Sequence, residues 1–178
     1  MARPTGRLIR LALAGPLLLA GAPASAPGPV RALAGRVSSQ FPDALMDGTS
    51  YTGENIVEVV PVAANAAYVR IHLDYANGHQ CGIAGIARAE GDRLVYHDPS
   101  PPVTGPRPCT LSIARAGRSL SIDDAGGSCS TYCGARGTLS DVTIPWSSHR
   151  PITYLARLRA SSQYREALTE WRTGKPVR

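Results

Sequence analysis

Cys81, Cys109, Cys129 and Cys133 are the residues of this 178-residue chain whose type and number say most about chemistry. An even set of this kind can close two disulfides in an oxidising compartment. Zinc is the rival use, with Cys129 and Cys133 four positions apart and Cys109 as a third thiolate. Structural zinc sites use closer paired spacings than Cys81 and Cys109 offer, so disulfides are expected. A meander of strands brings all four cysteines to one end of a sheet, and that topology alone does not choose among the three connectivities. Cys109–Cys129 with Cys81–Cys133 is favoured. The first pair would tie the ends of one hairpin, and the second would fasten the last strand to the wall.

The remaining chemistry-bearing residues make no catalytic set. The histidines are His72, His79, His97 and His149, with no His-Glu-x-x-His and no Gly-x-Ser-x-Gly. Gly127-Ser128-Cys129-Ser130 superficially resembles a nucleophile motif, but its cysteine is better used in a disulfide. Asp123-Asp124-Ala-Gly-Gly lacks the alternating oxygen ligands of a calcium loop and reads as turn chemistry. Glu54 and Glu58 could pair, but nothing in the sequence brings a second group to them. Neither a catalytic residue, a metal ligand nor a cofactor is assigned. The candidate binding face is Arg70, His72 and Asp74, which fall on the polar side of one strand.

Alternation and turn residues along the chain mark the elements that would hold these groups. Val69, Ile71, Leu73 and Tyr75 alternate with Tyr68, Arg70, His72 and Asp74, the period of a half-buried strand. Asn77-Gly78 follows, a hairpin turn in which both residues take positive φ. Strands are also expected over Ile56–Val62, Cys81–Arg88, Leu94–Tyr96, around Leu111 and Ile113, around Leu120 and Ile122, and from about Gly137 to Ile144. About seven short strands separated by turns favour a small antiparallel barrel or sandwich over 51–145. Gly85 and its small neighbours suit a tightly curved strand, where a large side chain would crowd the opposite wall. Residues 27–50, rich in Pro, Gly, Ala and Ser, read as a linker or disordered arm. In 146–178, Ile152, Leu155, Leu158, Tyr164, Leu168 and Trp171 form the stripe of an amphipathic helix ended by Gly174 and Pro176. Its Glu166 and Glu170 are four apart and find no basic partner at helical spacing.

Composition narrows the function classes. Gly and Pro, 18 and 15 residues, would interrupt a helical bundle. The net charge of +6 rests on 18 Arg and one Lys. Residues 51–145 hold seven Arg against nine acids, while 146–178 are net +5. An acidic body without stacking aromatics set among arginines argues against nucleic acid.

Residues 1–26 read as a secretory signal peptide: Arg3, Arg7 and Arg10, then the apolar run Leu11–Ala20, then Ala24-Ser25-Ala26. The run is too short to span a bilayer, so no transmembrane segment is expected after cleavage. A periplasmic or secreted location follows.

The run Cys81-Gly-Ile-Ala-Gly-Ile-Ala, then Leu94-Val-Tyr96, Cys109-Thr-Leu-Ser-Ile and Gly127-Ser-Cys129-Ser-Thr-Tyr-Cys133-Gly-Ala-Arg136-Gly resembles a Cys-containing β-domain of exported bacterial proteins. That domain is mostly uncharacterised and is loosely associated with lysozyme-inhibitor families. The resemblance covers about residues 51–145. It implies a disulfide-stapled β fold and an exported, inhibitor-like binding module with an envelope or extracellular partner, such as a protein. A hydrolase acting on envelope polymers is the alternative.

The export reading has a direct measurement. Intact-mass analysis of the native protein should give a start near Pro27 and a mass four hydrogens below that of the reduced chain. Retention of residues 1–26, or four free thiols, would refute it.

Overall fold

The computed structural model describes residues 28–102 and 107–177. Residues 1–26, read above as a signal peptide, lie outside the described residues. Eight strands pair in sequence order, each antiparallel to the next: β1 (Gly35–Ala44), β2 (Ser50–Ala63), β3 (Ala66–Tyr75), β4 (His79–Glu90), β5 (Arg93–His97), β6 (Thr110–Ala116), β7 (Ser119–Asp123) and β8 (Val142–Pro145). The sheet curls into a nearly closed barrel. Its seam is drawn together where Arg36 and Arg150 exchange backbone hydrogen bonds of 2.8 and 2.9 Å and where Ser148 Oγ accepts from Ser38 N.

Alternation decides what each face buries. Val57, Val59, Val69, Ile71, Leu73, Ile83 and Ala87 point inward and meet Leu94, Leu111, Ile113, Leu120, Ile122 and Ile144. The other parity of β2, β3 and β4 forms rows on the outer face, since Ile56 pairs with His72 and His72 with Gly82, and Glu58 with Arg70 and Arg70 with Ala84. The next row is Val60, Tyr68 and Ile86, and it is apolar and buried. What covers it is the tail, α2 (Leu155–Arg159) and α3 (Ser162–Thr173), through Leu158, Tyr164 and Ala167. Tyr68 and Tyr164 pack with ring centroids 4.8 Å apart. Burial pushes the Tyr68 phenol up to about 12.

Three expectations change. Of the expected arm 27–50, the described residues 28–50 are not an arm: they form α1 (Pro29–Leu33) and β1, whose ten residues pair with β2 from Gly35–Val59 to Ala44–Ser50. Backbone hydrogen bonds hold β1, and Val30, Leu33 and Val37 close part of the core, so the strand needs little apolar alternation of its own. The strands among the described residues therefore number eight. The last one is also shorter than expected. Asp141 takes a positive φ of 55° and Leu139 is buried as a plug, so the chain reaches β8 only at Val142. Finally, the tail is two helices. Ser161 caps α3 by accepting from Tyr164 N, which stops α2 before it, and Gly174 ends α3 in the left-handed conformation.

The asparagine turn is as read, with φ of 63° at Asn77 and 70° at Gly78 in a three-residue loop, Ala76–Gly78. Both disulfides take the favoured pairing, Cys81–Cys133 and Cys109–Cys129.

The tail's burial makes it part of the fold. Each large side chain removed from water contributes ~1.5–3 kcal/mol, and deletion of 155–178 also exposes Val60, Tyr68 and Ile86. The truncated protein should melt lower by about 10 °C or more and bind an apolar dye. An unchanged melting temperature would show the tail to be an appendage.

Candidate binding cleft

The sheet does not stay paired between β4 and β5. Their ladder holds only Arg88–Val95, Ala89–Leu94 and Glu90–Arg93. Beyond Arg88 the strands part, and β4 is next tied at Cys81–Cys133, where Gly134 N also donates to the Gln80 carbonyl at 2.7 Å. Two features of the sequence force the split. The Tyr96 ring lies against Gly85, where a Cβ would stand 2.1 Å from Cε2 of that ring. Pro99, Pro101 and Pro102 then follow β5 and can donate no ladder hydrogen bond.

The split opens onto a cleft of about 560 Å3. One wall is the outer face of β2–β4, with Ile56, Arg70, His72, Gly82 and Ala84. The second is α3, with Gln163, Glu166, Ala167 and Glu170, and the third carries Tyr96, Asp98, Ser100 and Tyr132. A smaller cavity of about 180 Å3 continues along the slit under the end of α3, and the two share Tyr96, Ala167 and Glu170.

The candidate face divides at this cleft. Arg70 and His72 line it, whereas Asp74 is spent on the sheet. Its carboxylate meets His72 Nε2 at 3.0 Å and accepts from Glu54 N and Gln80 Nε2 at 2.8 and 2.9 Å. Arg70 Nε donates to Glu58 at 2.5 Å, and the Glu58 side chain is fully buried. Burial works against the Arg70 charge, but the hydrogen bond and charge of Glu58 outweigh it and hold the guanidinium above its ordinary value.

Glu54 and Glu58 acquire the partners the sequence did not name. Arg36 reaches Glu54 at 2.6 Å and Tyr154 Oη at 2.8 Å, and Tyr154 donates to Glu58. This chain of charges anchors the tail to the barrel wall. Burial and the hydrogen bond to Glu58 raise the Tyr154 phenol, while Arg36 works to lower it.

The acids of the cleft are differently placed. Asp98 accepts from the Tyr132 hydroxyl, and burial first, then that hydrogen bond, push the Tyr132 phenol up. Glu170 accepts from Val177 N at 2.9 Å. Among the described residues Asp98, Glu166 and Glu170 enter no salt bridge, so the cleft is net acidic beside the paired Arg70. The sequence does not mark this set, because it comes from two remote segments, the connection after β5 and α3. The one available hint was Glu166 and Glu170 at like-charged helical spacing without a partner.

The other motifs are structural. The buried Asp124 carboxylate accepts from Gly127 N, Cys129 N and Ser140 Oγ and so holds the loop before Cys129. His149 stacks on Trp146 with centroids 4.2 Å apart and meets the Ala34 carbonyl. His97 contacts Glu90 at 3.3 Å.

Removing one partner from a buried charge pair costs ~3–5 kcal/mol because the other charge stays dry and unmatched. Arg70→Met should therefore lower the unfolding free energy by about 3 kcal/mol, and adding Glu58→Gln should recover part of it. Chemical denaturation of both variants measures this. An unchanged midpoint for Arg70→Met would mean that Glu58 is held without it.

The chain matches no family model, no curated protein and no solved structure.

Proposed function

We propose that this chain is an exported binding module, periplasmic or secreted, that takes its ligand in the cleft between the outer barrel wall and α3. Two disulfides and no free cysteine among the described residues fit an oxidising, non-cytoplasmic environment. The observation that carries the reading is the cleft itself, of a volume that suits a ligand. A sheet face and a docked helix supply two of its walls, and its acids enter no ion pair among the described residues. The resemblance to the exported Cys-containing β-domain supports the exported, disulfide-stapled part of this reading.

Hydrolysis of an envelope polymer is the second reading, favoured by His72, backed by Asp74, opening onto the same cleft as Ser100. Among the described residues no hydrogen bond joins Ser100 to His72, so a nucleophile and base are not assembled.

Gly82 supplies the test. A Cβ there meets nothing within 4 Å, and its side would point into the cleft. Gly82→Phe should fill the cleft at little cost to stability. Material retained from envelope extract by the wild-type protein should be lost with this variant while the melting temperature holds. Equal retention by both would move binding elsewhere.

A further inference from the structure

Register identifies which backbone groups β4 leaves unpaired. Ala89 N donates to the Asn65 carbonyl at 2.8 Å, so the odd-numbered residues of β4 turn their N–H and C=O toward β3. The Gln80 carbonyl accepts from Gly134 instead, and Arg88 pairs with Val95, so the even-numbered residues turn the other way. Between those two ties lie Gly82, Ala84 and Ile86. Beyond Arg88 they pair with no strand on that side, and among the described residues Ala84 and Ile86 have no other backbone partner there. A free strand edge recognises an extended chain, which supplies the missing ladder.

We propose, on the reading that the cleft is the binding site, that its ligand is a short basic peptide segment. The segment lies extended along β4 and is hydrogen-bonded to the backbone of Ala84 and Ile86. Its length is set by the ties at Cys81–Cys133 and Arg88–Val95, which close the slit at both ends. The guest therefore enters as a chain end or a loop and pairs over only a few residues. Its charge is set by the walls. Asp98, Glu166 and Glu170 face the cleft without an ion pair among the described residues, while the nearest cation, Arg70, is held by Glu58. Arg88 stands at the far cavity with its guanidinium 5.9 Å from the centre of the Trp171 ring. Alternate guest side chains would point out toward the α3 carboxylates and in toward Tyr96. Gly82, which carries no side chain, leaves the entrance open.

The probe is acetyl-Ala-Lys-Ala-Lys-Ala-amide, titrated into the full mature chain and followed by backbone amide NMR. It is compared with the same peptide carrying Glu in place of Lys, with two versions N-methylated at alternate amides, and with a chito-oligosaccharide. Ala84 and Ile86 amides should shift and gain protection from exchange. One N-methylated phase should lose about tenfold or more in affinity and the other keep it, because only one set of guest amides faces β4. The lysine peptide should outbind the glutamate peptide, and Glu166→Gln with Glu170→Gln should erase most of that difference. Equal affinity for both N-methylated phases, a preference for the acidic peptide, or binding of the saccharide in place of the peptides would overturn the proposal. So would failure of every peptide while Gly82→Phe still releases the retained material, an outcome that leaves the cleft as the site. If no peptide binds and Gly82→Phe changes nothing, both readings fall.

Discussion

The contact between the Tyr96 ring and the bare backbone of Gly85 governs the rest of the molecule. Nothing larger than glycine fits beneath that ring, since a Cβ would lie 2.1 Å from it. The ring sits in the core on the inner side of Gly85, and the ladder between β4 and β5 stops beside it. Tyr96 is nearly fully buried, and burial raises its phenol well above the ordinary value. The wall thus keeps its apolar seal while giving up its backbone pairing. That exchange turns a closed sheet into one with a slit, and the cleft, its acids and its free edge all lie along the slit.

A wall opened this way needs ties that hydrogen bonds no longer supply. Cys81–Cys133 lies at the far end of the slit and joins residues 52 apart in sequence, a closure worth ~4 kcal/mol in the chain-entropy account. Cys109–Cys129, with a separation of 20, secures the loop from which Tyr132 reaches across to Asp98. The near end is held by the tight turn at Gly91 and the short ladder beside it. The disulfides thus do more than stabilise a small core. They fix the width of an opening that the sheet alone would not hold.

What was legible in the sequence was whatever side chains encode. Val69, Ile71 and Leu73 declared β3 by alternation, Asn77-Gly78 declared its turn, and the stripe through Leu158, Tyr164 and Trp171 declared an apolar helical face. The cysteine pairing was one of three open connectivities, favoured because Cys109 and Cys129 flank a hairpin, and the structure takes it. What stayed hidden was carried by backbone or by distance. β1 is held by its ladder to β2 and shows only Val37 and Phe41 on the side that alternation would mark. The break between α2 and α3 depends on one serine cap. The cleft joins Arg70 to Glu166 and Asp98, residues that only the curl of the sheet and the return of the tail bring near one another. Two of the three residues of the candidate face, Arg70 and His72, line the cleft because they share a strand parity with Gly82 and Ala84. Asp74 has that parity too, but it lies one row farther along and is consumed by its neighbours.

The tail is where stability and binding meet. Its inner stripe, Tyr164, Ala167, Leu168 and Trp171, must dock on Val60, Tyr68 and Ile86, because that row would otherwise be an apolar patch on the outer wall. Once docked, helical geometry leaves Gln163, Glu166 and Glu170 facing along the wall toward the slit, with Ala167 between the two jobs. Tyr154 fixes the approach through Glu58 and Arg36. A helix laid down to cover apolar surface therefore also supplies two of the cleft's carboxylates. It cannot be moved away without opening the core, so the cleft is walled by an element that is committed to stay.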